Sequence, residues 1–129
     1  MKLLQAVITN HVNNWINVYN LINIGILNKW FNGYLKIANE TRYALAECQV
    51  GYSYLEGIGT DKNLEKALYW TQRSANHGDR DGQCNLAWIY EEGLGVEIDL
   101  DKAKHWYKQA ALQDHDLAFE KCKELNIEL

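Results

Sequence analysis

Apolar side chains recur every three or four positions along most of this 129-residue chain, which is the spacing of one face of an α-helix. Ala46, Val50 and Tyr54 form one such stripe, with polar residues on the other sides. The chain contains no proline, so nothing in its composition interrupts helices. The pattern predicts an all-α fold with helices near 8–24, 28–40, 43–56, 63–77, 81–92, 99–112 and 116–125.

The pattern repeats itself after 36 residues. The segment "CQVGYSYLEGIGTDKNLEKALYWTQRSA", residues 48–75, aligns with "CNLAWIYEEGLGVEIDLDKAKHWYKQAA", residues 84–111, and ten positions are identical. A fixed period in this range is typical of stacked helix pairs, each of which completes its neighbour's core. The sequence therefore predicts an α/α solenoid of antiparallel helix pairs.

Each repeat is expected to fold as helix, loop, helix. Gly57 and Gly93 follow the first helices and are suited to the left-handed conformation that ends a helix. Asp61 or Asn63 is expected to cap the second helix of the first repeat. The small residue Gly51 lies beside the apolar stripe, where it allows a neighbouring helix to approach closely.

The chain length fits a single domain with one core. Four segments are predicted within it. Residues 1–42 form a diverged N-terminal helix pair, 43–79 and 80–116 are the two repeats, and 117–129 form a C-terminal capping helix.

The second repeat resembles a known family, the Sel-one-like repeats, which are a subfamily of tetratricopeptide-like helical repeats. Residues 82–111 match the family pattern at Leu86, Tyr90, Gly93, Gly95, Val96, Asp99, Lys102, Ala103, Trp106, Tyr107, Ala110 and Ala111. Residues 46–75 depart from it at Thr60, Thr71 and Ser74. The resemblance implies a scaffold for protein–protein recognition, with family members in signalling, quality control and bacterial host or competitor interactions.

The charges narrow the class of partner. The net charge is −4, but residues 1–42 carry +3 and residues 43–129 carry −7. An acidic body disfavours nucleic acid as a ligand, because phosphate contacts need clustered Lys and Arg. It is compatible with a basic protein partner.

The expected location is the cytoplasm. Residues 3–28 hold no Asp, Glu, Lys or Arg. Neither a signal peptide nor a membrane span is expected, because the apolar run is interrupted by Asn10, Asn13, Asn14, Asn17, Asn20 and Asn23. Cys48, Cys84 and Cys122 form no Cys-x-x-Cys pair, which favours buried thiols in a reducing compartment.

Catalysis and cofactor binding are not expected. The pair Gly57 and Gly59 lies between helices and recurs in the next repeat, whereas a phosphate loop follows a strand. Cys48 and Cys84 occupy equivalent turns of adjacent repeats, too far apart to share a zinc ion. No cofactor or metal is predicted, and a hydrolase-type enzyme is the least favoured alternative.

The favoured function is non-catalytic binding of a partner protein on the concave face formed by the first helices. A narrower hypothesis is a bacterial immunity protein that inhibits a basic toxin. The candidate contact residues, taken from helix geometry, are Gln49, Tyr52, Ser53, Glu56, Asn85, Trp88, Ile89 and Glu92.

Self-assembly is the competing hypothesis. The charge-free segment 3–28 offers an apolar face to a second copy, and a low density of charge is typical of interface cores. The simpler alternative is that this helix covers the N-terminal end of the solenoid.

Overall fold

The computed structural model describes the backbone of residues 2–129 and the side chains of residues 20–129. The fold is all-α, as predicted, with helices packed in sequential pairs. The described chain forms α1 (Lys2–Glu40), α2 (Ala44–Glu56), α3 (Leu64–Asn76), α4 (Arg80–Glu92), α5 (Leu100–Ala111) and α6 (Asp116–Glu124). The helix ends from α2 onward lie within one residue of the predicted ones.

The glycines and caps end the helices as expected. Gly57 and Gly93 adopt the left-handed conformation, each with φ of 69°, and their amides donate to the last turns of α2 and α4. The side chain of Asn63 accepts a hydrogen bond of 3.0 Å from the amide of Lys66, so Asn63 and not Asp61 caps α3. Asp99, at the equivalent position, caps α5 in the same way.

The two repeats pack around two adjoining apolar clusters. Trp70 in the first cluster is 8% exposed, and Trp106 packs at the edge of the second cluster. Gly51 lies directly against α3, because a Cβ atom added there would fall 2.5 Å from Oγ1 of Thr71. The first cluster contains Phe31, Ala38, Ala46, Val50, Tyr54, Leu55, Ala67, Trp70 and Ile89. The second contains Cys84, Ala87, Ala103, Tyr107, Ala110, Ala111, Ala118 and Cys122.

The predicted N-terminal helix pair, 8–24 and 28–40, is wrong: residues Lys2–Glu40 form one continuous helix. Gly25 does not adopt the left-handed conformation that ends α2 and α4, so the helix passes through it. Phe31 and Ala38 on the C-terminal half are buried against α2. Over the described residues, no helix has the combination of length and apolarity that a membrane span requires.

Buried polar contacts tie the first helix of each repeat to the end of its second helix. Glu47 is completely buried, and its carboxylate accepts hydrogen bonds from Nε of Arg73, at 2.7 Å, and from Nδ1 of His77. At the position 36 residues later stands Gln83, whose side-chain carbonyl accepts from Nε2 of Gln113 at 2.8 Å. The hydrogen-bonded contact between the two helices of a repeat is therefore charged in the first repeat and neutral in the second. We call this contact the helix-pair junction.

Candidate partner-binding groove

A groove of about 330 Å³ crosses the face formed by α2, α4 and α6, the first helices of successive units. Its rims are Tyr52 and Glu56 on one side and Leu117 on the other, and Trp88 lies between them. The full lining is Tyr52, Glu56, Cys84, Asn85, Trp88, Tyr107, Leu117 and Lys121. We call this depression the α2/α4/α6 groove.

Four of the eight predicted contact residues line the α2/α4/α6 groove: Tyr52, Glu56, Asn85 and Trp88. Tyr52 is 41% exposed, while Trp88 is half-buried because one side of its ring packs on the first apolar cluster. The indole therefore contributes to the core and still presents an edge to the groove.

Two further predicted residues lie on the surface outside the lining. Gln49, one turn before Tyr52, is half-buried, and Glu92, one turn after Trp88, is exposed. Both remain accessible to a partner that extends beyond the groove.

Ser53 and Ile89 cannot contact a partner, and their assignment to the surface is wrong. Both side chains have 0% exposure. Each directly follows a groove residue, and one step along a helix rotates the side chain by about 100°, here into the space between helices. Ile89 joins the first apolar cluster, and the hydroxyl of Ser53 is buried without a hydrogen-bond partner among the described residues.

The lining residues on α6 were not predicted from the sequence. Lys121 follows Asn85 by 36 residues, and Asn85 follows Gln49 by the same interval. The repeat period, extended into the capping helix, would have found Lys121. Leu117 and Tyr107 have no such signal, because the equivalent positions in the preceding repeat are Asp81 and Thr71.

A hydrogen-bonded cluster fixes the wall of the groove beside α6. The Tyr107 hydroxyl donates to Oε2 of Glu91 at 2.6 Å, and Nζ of Lys121 donates to Oε1 of the same carboxylate at 3.1 Å. The hydrogen bond that Lys121 donates to Glu91 raises the pKa of Lys121. Burial, and then the bond to Glu91, raises the pKa of Tyr107. Lys121 is therefore charged at neutral pH, but its charge is already balanced by the carboxylate of Glu91.

The α2 rim carries an uncompensated negative charge. Glu56 is exposed and takes part in no ion pair within residues 20–129, and the same is true of Glu92. The aromatic rings of Tyr52 and Trp88 line the same groove. A carboxylate beside exposed aromatic rings is a favourable environment for a cationic side chain.

The cysteines near the groove are poor nucleophiles. Cys84 in the groove floor and Cys48 one repeat earlier are each 3% exposed. Burial is the main cause that raises the pKa of Cys84 to about 11 and that of Cys48 to about 12. Both thiols are therefore protonated at neutral pH, and the thiolate is the reactive form.

A second depression, about 460 Å³, lies between α1 and the first glycine loop. It is lined by Ile24, Leu27, Asn28, Gly57, Gly59, Thr60 and Asp61. No Lys or Arg contributes to this lining, a helix and not a strand leads into Gly57, and Asp61 would repel an anion. Although larger, this depression lacks the cationic side chain of a phosphate site. Across the side chains that the structure describes, no three His, Cys, Asp or Glu residues converge as metal ligands do.

Other proteins of known structure share this helical architecture. A Sel1 repeat protein from Oxalobacter formigenes matches 64% of this chain at 34% identity, with a TM-score of 0.61. A protective antigen of uropathogenic Escherichia coli strains, which displays an SLR fold, matches 76% of the chain at 28% identity, with a TM-score of 0.69. The matched regions are 24% and 20% of those two chains, so this chain spans about a quarter or less of their length. No match was found among curated protein sequences.

The family comparison covers both repeats. The Sel1 repeat pattern matches residues 44–79 and 80–115, which together make up more than half of the chain and coincide with the helix pairs α2–α3 and α4–α5. Repeats of this kind generally mediate protein interactions. The chain belongs to the Sel1 repeat family.

Proposed function

We propose that the protein is a non-catalytic interaction module that binds a partner protein in the α2/α4/α6 groove. The observation that carries this proposal is the convergence of Tyr52, Trp88 and Leu117 in one groove. Tyr52 is 41% and Leu117 58% exposed, which leaves apolar area to bury on binding. Exposed aromatic side chains are also enriched among the residues that dominate interface energies.

The partner segment is proposed to be apolar and basic. Its apolar side chains would cover Leu117 and the ring edges of Tyr52 and Trp88. A Lys or Arg would pair with Glu56, whose carboxylate has no internal partner within the described residues. Lys121 does not offset this preference, because its charge is matched by Glu91 at 3.1 Å.

Selection from a displayed library of random peptides tests the proposal. The wild-type protein is expected to enrich peptides that combine a Lys or Arg with an aromatic or aliphatic residue. Glu56→Lys is expected to reverse the charge preference and enrich acidic peptides, since the substitution replaces the unpaired anion of the groove rim with a cation.

Glu65→Lys is the matched control. Glu65 is also exposed but lies in the first turn of α3, outside the groove lining, so this variant has the same charge change and should select the wild-type peptides. Identical selections by wild type and Glu56→Lys would contradict binding in the groove. Failure of all three proteins to enrich any peptide would contradict recognition of a linear segment.

A narrower form of the proposal is an immunity protein that neutralises a basic toxin. It is supported by the charge of −7 on residues 43–129, which favours association with a basic protein. Co-expression with a toxin encoded by the neighbouring gene tests it. Protection of the cells that is lost in Glu56→Lys is the expected result, and no protection by the wild type would contradict the toxin hypothesis.

A further inference from the structure

The N-terminal helix presents an apolar surface that the rest of the chain does not cover. Leu21, Ile22, Ile24 and Ile26 are between 54% and 68% exposed, although they lie within a regular helix. A soluble helix that is apolar on all sides is normally buried. Contiguous exposed apolar patches on monomers are usually small, and larger ones mark interaction sites.

One stripe of this surface is continuous along the helix. Ile22, Ile26, Trp30 and Ile37 are separated by four, four and seven residues, so they lie on the same side of α1. Their exposures are 56%, 58%, 36% and 41%. Phe31 and Ala38, which are buried against α2, lie on a different side. We call the four exposed residues the α1 seam.

In the amino-acid sequence, apolar residues continue toward the N-terminus with a seven-residue period. Val12, Trp15, Tyr19, Ile22 and Ile26 are separated by three, four, three and four residues. This is the spacing with which one helix packs along another in a coiled coil. The pattern therefore favours a second long helix as the group that covers the seam.

The absence of charge over most of this segment favours a second copy of the same helix. Residues 3–28 contain no Asp, Glu, Lys or Arg, in a chain with 30 charged residues. Charged flanking positions are what select a different partner in a coiled coil, and between residues 3 and 28 these positions carry none, whereas Lys29 and Lys36 flank the seam further along. An identical, uncharged helix meets no like-charge repulsion in this region.

Gly33 leaves room for a close approach along the seam. Glycine within a helix is costly, and the helical glycines Gly51 and Gly82 are explained by close contacts with Thr71 and Ser74. At Gly33, on the same side of α1 as the seam, an added Cβ would meet nothing within 4 Å. A second helix along the seam would fit in this space, although Gly25, outside the seam, is equally open.

We infer that the protein forms a homodimer in which the α1 seams of two copies pack against each other. The groove on α2, α4 and α6 remains open in this arrangement, because its lining includes no residue of α1. Dimerisation is thus separate from the proposed binding of a partner. An experiment can contradict one of these two proposals without contradicting the other.

Light scattering coupled to size-exclusion chromatography, at several protein concentrations, tests the inference. The wild type is expected to give about twice the 14.9 kDa mass of one chain. Ile26→Asp places a charge in the seam and is expected to weaken association at least about tenfold, which yields monomer at low concentration. Circular dichroism establishes that the variant keeps its helices.

Leu21→Asp is the matched control. Leu21 is 68% exposed and lies about 140° around the helix from Ile26, at about 100° per residue, so it should not lie in the seam contact. This variant is expected to remain dimeric. A monomeric wild type at all concentrations would overturn the inference, and so would equal weakening of association by Leu21→Asp and Ile26→Asp.

Co-sedimentation with phosphatidylcholine vesicles distinguishes a lipid surface from a second copy. The dimer is expected to stay in the supernatant because its seams are covered. Sedimentation of the wild type that is lost in Ile26→Asp would assign the seam to lipid and overturn the homodimer.

Discussion

At the scale of single residues, the two repeats form the helix-pair junction with different hydrogen bonds, ionic in the first repeat and neutral in the second. In the first repeat the buried carboxylate of Glu47 accepts from Arg73 and His77, whose side chains are 38% and 30% exposed. In the second repeat the equivalents of Glu47 and His77 are Gln83 and Gln113, which pair as neutral amides. The sequence does not reveal this junction, because its partners lie 26 to 30 residues apart and belong to no local motif.

Glu47→Ala is expected to lower the free energy of unfolding by about 1–3 kcal/mol, since it removes the buried, charged acceptor of two hydrogen bonds. Glu47→Gln should cost less, because the amide oxygen still accepts from Arg73 and because Gln83 occupies the equivalent position. Urea denaturation of the three proteins measures the difference. Equal stability of wild type and Glu47→Ala would show that the junction contributes nothing to folding.

At the scale of the helices, local chemistry predicts most boundaries. Gly57, Gly93 and Asn63 end or begin helices through their own backbone or side-chain geometry, which depends on neighbouring residues only. The predicted break between residues 24 and 28 had no such support. Gly25 alone, without a left-handed conformation or a following cap, does not end a helix, and α1 continues through it.

Gly51→Ala is expected to destabilise the protein by about 1–3 kcal/mol through overpacking, even though alanine favours helix formation. The added methyl would lie 2.5 Å from Oγ1 and 3.0 Å from the backbone nitrogen of Thr71, so α2 and α3 would have to separate. Thermal and urea unfolding measure the effect.

Gly25→Ala is the control for that substitution. Gly25 also lies within a helix, but an added Cβ there meets nothing within 4 Å, so the change should leave stability equal or raise it. Destabilisation of similar size at both positions would refute the close approach of α2 and α3 as the cause.

At the scale of the whole molecule, the groove depends on the stacking of three units. Tyr52 and Glu56 come from α2, Trp88 from α4 and Leu117 from α6, so the site forms only when the repeats are in register. The 36-residue period predicted the α2 and α4 contributions because equivalent residues face the same way. It gave no indication of Leu117, because the equivalent position one repeat earlier is the charged residue Asp81.

The central claim, that a partner protein binds in the α2/α4/α6 groove, is tested most directly by site-specific photocrosslinking in the cells of origin. The photoreactive amino acid p-benzoylphenylalanine would replace Tyr52 in one variant and Tyr69 in another. Tyr69 is 54% exposed on α3, outside the groove lining, and is therefore a matched aromatic control for Tyr52 at 41% exposure. The account predicts one discrete crosslinked protein from position 52 and none from position 69. Equal crosslinking at both positions, or a discrete product from position 69 alone, would contradict it.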